Sequence, residues 1–573
     1  MQQQLRTEEG LGLSLYGDIT LCDVAAKQLR RRGFRYSGPG SLVLALTTDY
    51  LDPFLEHLAQ GTALALVSLS EVKRWLGPIL IPGQTACYQC FSSALVENNY
   101  VSPKQERAGR HQRIALSRMA EWLKGWTSGE ERVIDCVREI TPSGELGPPQ
   151  RIRRRQQCVS CGGPHSDPGT LQSEITGICS PVSVRRFGRV WLARSSQQLR
   201  HPHGPTLEVA GLRHPVLGRG LSRKAAIAGC LAEAIERYSL YRSGHEQLVV
   251  SSFRKIEDQA IHPHRLLLFS ERQYQYRDLW NRAGATPFWV PPRFNPDSVI
   301  DWVRAEPLFG ASPRLVPADY CFYNGRPLFC VADSNGCAAG PTLEEAITAG
   351  LLELMERDAV SIWWYNRIAR PQPLIDFEDL PHLRGLRRYL QKRDRVIRAF
   401  DITTDLGVPV IAAVTALSDG SEILMGTACH PDPETALSKA VLEACQMLVA
   451  SDSKGRVNRE DFPFGQEWLE TARLDREPHL SPADSAPRAI HGKAAATHLE
   501  TCSIALRRAG LEAYYVDLTR PELGLRVARV LVPGLRGWTP RFAPGRLYDV
   551  PVRLGWRKRR TSELKLNAWP WFL

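Results

Sequence analysis

The sequence has no long hydrophobic run and no apolar segment of the kind that directs secretion. Its longest apolar stretches, such as GTALALVSL from Gly61, are far shorter than the roughly 20 residues that a membrane-spanning helix needs. The N-terminal segment MQQQLRTEEG is polar and lacks the apolar centre of a signal peptide. We therefore expect a cytoplasmic protein without a membrane partner.

Glycine-rich phosphate-binding loops of the common kinds are also missing. No Gly-x-x-x-x-Gly-Lys-Ser/Thr segment occurs, and GLGLSLYG near the start lacks the third glycine of a dinucleotide-binding turn. The pair Arg357-Asp358 lacks the histidine that precedes such a pair in protein kinases. These absences argue against P-loop enzymes, protein kinases and a dinucleotide site in the first domain.

The composition is that of a soluble globular protein large enough for two or more domains. Of 573 residues, 43% are hydrophobic and 23% are charged, and the 40 prolines and 44 glycines indicate many loops. The net charge of +12 suits an acidic partner. Because the local arginine runs, at 151–155 and 557–560, have no interleaved aromatic residues, we predict an acidic peptide rather than a nucleic acid as this partner.

The first part of the chain predicts a small α/β domain. Residues 17–80 alternate short apolar runs with amphipathic helices, which indicates a β-α-β arrangement with a small parallel sheet. An apparent entry strand within 179–200 marks the end of this domain. We therefore predict an N-terminal domain at 1–190 and a C-terminal domain at 191–573.

Fourteen cysteines are present, but most stand alone in apolar segments, where a thiol behaves as a small hydrophobic group. Four form two Cys-x-x-Cys pairs beside turn-forming residues, namely Cys87 with Cys90 and Cys158 with Cys161. Two such pairs predict a tetrahedral structural zinc site rather than thioredoxin-like redox chemistry, and they leave His165 as a bystander.

The segment 334–359, SNGCAAGPTLEEAITAGLLELMERDA, predicts a loop of small residues followed by a helix. On that helix Glu345 and Glu356 lie within about 20° of one face, and Glu353 lies roughly 80° away. Carboxylates beside so many apolar neighbours need a cationic partner. Arg357 pairs with Glu353, which leaves Glu345 and Glu356 without a cation. Mg²⁺ with a nucleotide meets this need. The alternative is an amphipathic helix with a solvated acidic face.

The acidic pattern recurs, which favours one shared site. A second helix, within 221–241, carries Glu-x-x-Glu-Arg again, with Glu233, Glu236 and Arg237. A third, HPDPETALSKAVLEACQML, has an acid and an amide three residues apart and a lysine one turn earlier, namely Glu443, Gln446 and Lys439.

Together these three segments resemble the YcaO superfamily, ATP-dependent enzymes that activate backbone amides of ribosomally made peptides, over roughly residue 196 to the end. The resemblance implies an α+β ATP-binding domain in which five carboxylates hold Mg²⁺ and the phosphates: Glu233, Glu236, Glu353, Glu356 and Glu443. It also implies side chains that neutralise or orient the nucleotide: Arg237, Glu345, Arg357, Lys439 and Gln446. Many relatives have Asn in place of Pro341 and Arg in place of Lys439. Lys439 is also our candidate for a catalytic side chain. Its ammonium group is a point charge, whereas an arginine would offer two parallel hydrogen bonds.

Residues from about 42 to 161 resemble the E1-like zinc-containing partner domain of azoline-forming YcaO enzymes, on LGPILIPGQTACYQCF and the second cysteine pair. The resemblance implies a zinc-binding scaffold that docks the peptide. Because relatives with a built-in leader-binding module carry a winged-helix unit in front, we expect a separate leader-binding protein here. An azoline dehydrogenase partner and a homodimer are further expectations.

The segment LNAWPWFL resembles the tail that reaches into the active site of such relatives, although it retains only Pro570 of their alternating prolines. We expect Leu573 and its carboxylate to thread inward, because two tryptophans and a phenylalanine are unsuited to a solvated end. Leu573 and His430 are the candidates for a general base, and a histidine beside a proline-rich turn is more often structural.

The implied reaction is an ATP-dependent cyclodehydration of a precursor peptide. A Cys, Ser or Thr side chain attacks the preceding carbonyl, whose oxygen is phosphorylated and leaves, giving an azoline, ADP and phosphate. Two alternatives remain. One is amide activation for another nucleophile, as in thioamide formation, and the other is a non-catalytic zinc scaffold that presents the peptide.

Overall fold

The computed structural model describes residues 3–571, apart from 9, 38–40, 71–72, 99–109, 129–133, 156–157, 159, 163–169, 189, 198–213, 243–245, 283–288, 311, 324–328, 331, 451–464 and 484–496. Within these residues, no helix is long and apolar enough to cross a membrane. The expected fold class, an α/β N-terminal part and an α+β C-terminal part, is confirmed.

The N-terminal part is built on a seven-stranded sheet whose strands lie side by side in chain order. They are β1 (Gln3–Glu8), β2 (Leu13–Asp18), β3 (Leu42–Thr47), β4 (Ala63–Ser68), β5 (Trp75–Leu80), β6 (Cys136–Glu139) and β7 (Gln150–Arg151). Strands β2, β3 and β4 run parallel, whereas every other pairing is antiparallel. The parallel sheet predicted from the sequence is therefore only the centre of a mixed sheet.

Helices cover both faces of this sheet: α1 (Ile19–Arg31), α2 (Pro53–Leu58), α3 (Tyr88–Glu97) and α4 (Arg110–Thr127). In β3, Leu42, Leu44 and Leu46 pack with α1 and α4, whereas Val43 and Ala45 pack with α2 and α3. Successive strand residues point to opposite faces, so a strand covered on both sides is an unbroken apolar run. This is why LVLALT and ALALVS stand out in the sequence.

The C-terminal part contains three further sheets. Its strands are β8 (Ser183–Phe187), β9 (Val190–Gln197), β10 (His214–Gly220), β11 (Leu248–Ser252), β12 (Val299–Pro307), β13 (Arg314–Pro317), β14 (Cys337–Gly340), β15 (Arg395–Asp401), β16 (Val410–Leu417), β17 (Leu424–Cys429), β18 (Tyr514–Asp517) and β19 (Arg526–Leu531). They form the sheets β10-β9-β8, β11-β12-β18-β19-β14 with β13 beside β12, and β15-β16-β17. The division predicted after residue 190 falls at the first residue of β9, which pairs with β8, and it stays a prediction.

The helices of this part are α5 (Arg223–Ser239), α6 (Phe253–Ile256), α7 (His264–Leu267), α8 (Glu271–Gln275), α9 (Arg277–Arg282), α10 (Ala318–Cys321), α11 (Leu343–Tyr365), α12 (Leu386–Gln391), α13 (Pro433–Gln446), α14 (Gln466–Thr471), α15 (His498–Arg508) and α16 (Arg546–Arg553). Helix α11 lies at the centre and packs against β14, β17, β19, α15 and α16. Its C-terminal half is enclosed, with Ile362, Trp363 and Trp364 fully buried. This position brings distant stretches of the chain together.

Candidate active site

Three strand–turn–helix units form the site, and each is built in the same way. Strand β10 leads to α5 in the first unit, β14 leads to α11 in the second, and β17 leads to α13 in the third. Each helix begins at a cap whose side chain accepts a hydrogen bond from the N–H three residues later: Ser222, Thr342 and Asp432. Each helix also packs against its own strand.

Eleven residues after each cap, a glutamate points back to the strand of its own unit or, in the second unit, to Gly336, the residue just before β14. We call these three side chains the inner glutamates. Oε2 of Glu233 accepts the N–H of Leu217 at 2.7 Å, Oε2 of Glu353 accepts that of Gly336 at 2.8 Å, and Oε2 of Glu443 accepts that of Thr427 at 2.7 Å. A backbone N–H that donates to a carboxylate fixes its orientation and offsets part of the cost of burying the charge.

The strands approach the helices closely where they carry glycine. A Cβ atom at Gly218 would lie 2.1 Å from the carbonyl oxygen of Ala226 and 2.4 Å from the nitrogen of Cys230. A Cβ atom at Gly426 would lie 2.2 Å from the nitrogen of Ala444. These distances leave no room for a methyl group. The close packing keeps the inner glutamates within hydrogen-bonding distance of the strands.

Fourteen residues after each cap, an outer side chain lies beside a residue of the next unit. Glu236 lies near Glu353, Glu356 contacts Thr427, and Gln446 contacts Arg219. Glu356 accepts the hydroxyl of Thr427 at 2.5 Å and the N–H of Cys429 at 3.1 Å, and both donors lie on the strand of the third unit. Helix α5 likewise packs on β14, and α13 packs on β10. The units therefore form a ring in which each helix meets the strand of the following unit.

Arginines hold the inner glutamates of the first two units. Nη2 of Arg237 donates to Oε1 of Glu233 at 2.5 Å, and Nη2 of Arg357 donates to Oε1 of Glu353 at 2.5 Å. Both are i, i+4 pairs, which the turn of a helix brings together. Each of these two glutamates therefore accepts a backbone N–H on one oxygen and a guanidinium on the other.

Two cations reach the third unit. Nη1 of Arg219, on β10, donates to Oε1 of Gln446 at 2.7 Å and lies 3.6 Å from Oε1 of Glu443. Burial lowers the pKa of Lys439, and repulsion from Arg219 adds a smaller decrease. The nearby carboxylate of Glu356 raises this pKa again in part. The sequence analysis selected Lys439 and missed Arg219, because one arginine between two glycines on a strand has no periodic pattern.

The outer glutamates are buried beside other carboxylates. Burial is the largest cause that raises the pKa of Glu236 well above its usual value, and repulsion from Glu353 and Glu233 adds to it. Burial is also the largest cause that raises the pKa of Glu356 to about 7, and repulsion from Glu443 adds to it. A divalent cation would relieve this repulsion, and carboxylate oxygens are the ligands that Mg²⁺ prefers.

The carboxylates do not form one closed cage. Among the described residues, no three acidic side chains lie close enough to bind a single ion by themselves. Mg²⁺ is commonly held by one or two carboxylates, with water and phosphate oxygens completing its shell. The donor set therefore fits Mg²⁺ that arrives with a phosphorylated substrate.

Comparison with known proteins identifies the family. A family model described as YcaO cyclodehydratase, ATP- and Mg²⁺-binding, matches residues 217–536, more than half of the chain. The chain belongs to the YcaO family. A protein of Methanothermobacter thermautotrophicus, itself uncharacterized, is 30% identical to this YcaO protein over 339 residues, which are 56% of this chain and 80% of that protein.

Two solved structures resemble this YcaO protein over almost its whole length. A heterocyclase in complex with substrate and cofactor is 28% identical, with a TM-score of 0.86 over 97% of this chain and 84% of the other. The heterocyclase TruD is 29% identical, with a TM-score of 0.75 over 97% of this chain and 82% of the other. The protein is accordingly an ATP-dependent cyclodehydratase of the YcaO family.

Glu345 and Glu356 share a face of α11, as the helical spacing predicted, but they lie about 16 Å apart along the helix axis. Glu345 lines a separate cavity of about 290 Å³ together with Lys439 and His430. Nδ1 of His430 accepts the N–H of Asp432 at 3.1 Å, so this ring is part of the turn that begins α13. Glu345 therefore lies in the first turn of α11, away from Glu353 and Glu356 in the middle of the helix.

The C-terminal tail packs inside the YcaO core. Trp571 is almost fully buried, with its ring 5.1 Å from that of Trp364. Nε1–H of Trp364 donates to the carbonyl oxygen of Trp569 at 2.7 Å. Trp571 also lines a small cavity beside Glu356. Leu573, the candidate base, lies outside the described residues.

The two cysteine pairs meet in the N-terminal part. Sγ of Cys87 lies 3.3 Å from that of Cys158, Sγ of Cys90 lies 3.5 Å from that of Cys161, and all four sulfur atoms lie within 4.8 Å of one another. Four sulfurs bound to one tetrahedral zinc ion at about 2.3 Å are separated by roughly 3.8 Å, so the four thiols fit this ion. The N–H of Arg155 points to Sγ of Cys90 at 3.4 Å. His165 lies outside the described residues.

Proposed function

We propose that this cyclodehydratase converts Cys residues, and also Ser and Thr residues, of a ribosomally made precursor peptide to azolines. The observation that carries the proposal is the ring of three units, which gathers carboxylates and cations from helices far apart in the sequence. The likeness to two heterocyclases over 97% of the chain supports the same reaction class.

In this proposal the carboxylates of the ring hold Mg²⁺ and the triphosphate of ATP; they are Glu233, Glu236, Glu353, Glu356 and Glu443. When bound, magnesium and ATP supply a phosphoryl group and neutralise the charge that develops on it. The inner glutamates are held by strand N–H groups, so they require little rearrangement when the nucleotide binds.

The cations have different tasks. Arg237 uses one nitrogen for Glu233 and another for the carbonyl of Pro215, which makes it a residue that orients a ligand group. Arg357 keeps a buried Nε without a partner among the described residues, and we assign this donor to a phosphate oxygen.

We assign Lys439 and Glu345 to the nucleotide, because both line the larger cavity. We also assign Lys439 to the phosphoryl group that is transferred. We assign Gln446, in the third unit, to orienting the nucleotide.

The thiol or hydroxyl of the peptide attacks the preceding carbonyl carbon and gives its proton to a base, and the carbonyl oxygen takes the γ-phosphoryl group as ADP leaves. Loss of phosphate with that oxygen, and of the amide proton, forms the C=N bond of the azoline. The carboxylate of Leu573 is our candidate for the base, because Trp571 lines the cavity beside Glu356. His430 is less suited, since its Nδ1 is used in a turn.

The four cysteines of the N-terminal part are proposed to bind one structural zinc ion. With four thiolates the coordination shell is complete, so this ion would stabilise the fold and take no part in the reaction. We propose that the surrounding E1-like domain docks the peptide, that a separate protein binds its leader, and that an azoline dehydrogenase acts afterwards. The homodimer, the cytoplasmic location and the exclusion of nucleic acid remain predictions.

A matched pair of variants tests the function. Glu443→Gln removes an inner carboxylate, whereas Glu434→Gln changes an exposed acid in the first turn of the same helix. With precursor peptide, its leader-binding protein and Mg-ATP, we expect the wild type and Glu434→Gln to release ADP and to remove one water from the peptide for each ring. We expect Glu443→Gln to do neither.

The mass of the peptide separates the alternatives. Exchange of oxygen for sulfur, with ADP release that depends on added sulfide, would instead assign thioamide formation. Peptide binding without any ADP release by the wild type would assign a non-catalytic scaffold. Either result would refute azoline formation.

A further inference from the structure

The third unit lacks an arginine of its own at the position used by the other two. Arg237 and Arg357 each lie four residues after the inner glutamate of their helix. The residue four after Glu443 is Met447, which directly follows the last residue of α13, is half-buried and has no charge. From sequence alone, this unit has an inner carboxylate without a guanidinium.

Arg219 occupies the missing place from another unit. In the first two units the glutamate Oε2 accepts the strand N–H and Oε1 accepts the arginine. In the third unit Oε2 of Glu443 accepts the N–H of Thr427 at 2.7 Å, and Nη1 of Arg219 lies 3.6 Å from Oε1. Each oxygen of Glu443 therefore faces the same kind of group as in the first two units, although Arg219 lies on β10 and forms an ion pair at 3.6 Å rather than a hydrogen bond.

The same guanidinium closes the ring. Glu356 of the second unit bonds the strand of the third unit, at Thr427 and Cys429. Gln446 of the third unit meets the strand of the first, where Nη1 of Arg219 donates to its Oε1 at 2.7 Å. Gln446 is an amide where the other two outer residues are acids, so it accepts this hydrogen bond without drawing the positive charge away from Glu443.

We propose that Arg219 is a positioning residue that orients Glu443 and Gln446 for Mg-nucleotide binding, in place of an arginine on α13. The inference rests on the proposed function only in taking these two side chains as ligands of magnesium or nucleotide. Arg219 acts through them. Its loss should weaken the binding of Mg-nucleotide more than it changes the chemical step.

The experiment measures Mg²⁺-dependent binding of a non-hydrolysable ATP analogue by calorimetry, and in parallel kcat and KM for ATP. In Arg219→Met we expect the Mg²⁺ concentration for half-maximal binding, and KM for ATP, to rise roughly 10-fold or more, as loss of a charged hydrogen bond implies. Arg219→Lys should lie between this variant and the wild type. Arg223→Met, an exposed arginine in the first turn of α5, is the matched control and should bind as the wild type does.

A second variant distinguishes positioning from folding. In Arg219→Met with Met447→Arg, the new guanidinium stands four residues after Glu443, as in the other two units, and we expect part of the Mg²⁺ affinity to return. Circular dichroism and urea unfolding select variants that fold as the wild type does.

Three results would overturn the inference in folded variants: unchanged Mg²⁺ dependence in Arg219→Met, a fall in kcat alone, or no recovery in the double variant. If the wild type binds the analogue but releases no ADP with peptide, the proposed function fails, and the binding series still decides the role of Arg219.

Discussion

The packing of the first unit can be tested by adding one methyl group. A Cβ atom at Gly218 would lie 2.1 Å from the carbonyl oxygen of Ala226 and 2.4 Å from the nitrogen of Cys230, and both atoms are backbone of α5. Since non-bonded contacts need about 3.4 Å, Gly218→Ala must move α5 away from β10 by about 1 Å. Overpacking of this kind costs about 1–3 kcal/mol of unfolding free energy. The same movement would lengthen the 2.7 Å hydrogen bond from Leu217 to Glu233.

A neighbouring glycine supplies the control. A Cβ atom at Gly229, on the same helix, would have its nearest neighbour, Cα of Gly218, at 3.7 Å, which is ordinary contact. Gly229→Ala should therefore be neutral, or more stable by about 0.5–1 kcal/mol because alanine favours the helix. Urea unfolding gives the free energies, and calorimetry with the non-hydrolysable ATP analogue gives the effect on the site. If Gly218→Ala matched the wild type in both unfolding free energy and analogue binding, the inference that β10 and α5 are in close contact would be refuted.

Three further predictions concern parts outside the ring. Burial lowers the pKa of His479 to about 3, and the positive charge of Arg367 contributes to this shift. The unfolded imidazole takes up a proton near pH 6.5, so unfolding free energy should fall by up to about 1.4 kcal/mol per unit as pH drops from 6.5 to 3. Urea unfolding of His479→Gln should show a flatter profile, and an equal slope would contradict this assignment. Metal analysis should find about one zinc per chain and less in Cys158→Ser; a zinc-free wild type would refute the site. Asp358→Asn removes a fully buried carboxylate that binds Nε and Nη2 of Arg546, and calorimetric unfolding should show a loss of about 3 kcal/mol, whereas Asp297→Asn, in an exposed pair, should change stability far less.

The sequence was informative where local spacing decides the structure. Glu233, Glu236 and Arg237 follow the same spacing as their counterparts on α11, and a helix turns such spacings into a common face. The two cysteine pairs could likewise be recognised from the sequence as a candidate zinc site, because each pair needs only a short turn to bring its sulfurs together. Apolar runs predicted β3 and β4 for the same reason, since burial on both faces leaves no polar position.

What the sequence did not predict depends on contacts between distant parts of the chain. Arg219 and Gln446 are 227 residues apart, and neither stands in a pattern that points to the other. Helical spacing places Glu345 on the face of Glu356, but angle alone does not report the distance along the axis. The strands on either side of β2, β3 and β4 run antiparallel to their neighbours, and their direction depends on the connections between strands, which an apolar pattern does not contain.

The ring has a consequence for natural variation. Two of its junctions join a side chain from one stretch of the chain to a backbone or side-chain group from another, so a substitution on one side changes which residue fits on the other. Substitutions at Arg219, Gln446 and Met447 should accordingly be found together in related sequences and seldom singly. An acid in place of Gln446, for example, should accompany a basic residue in place of Met447.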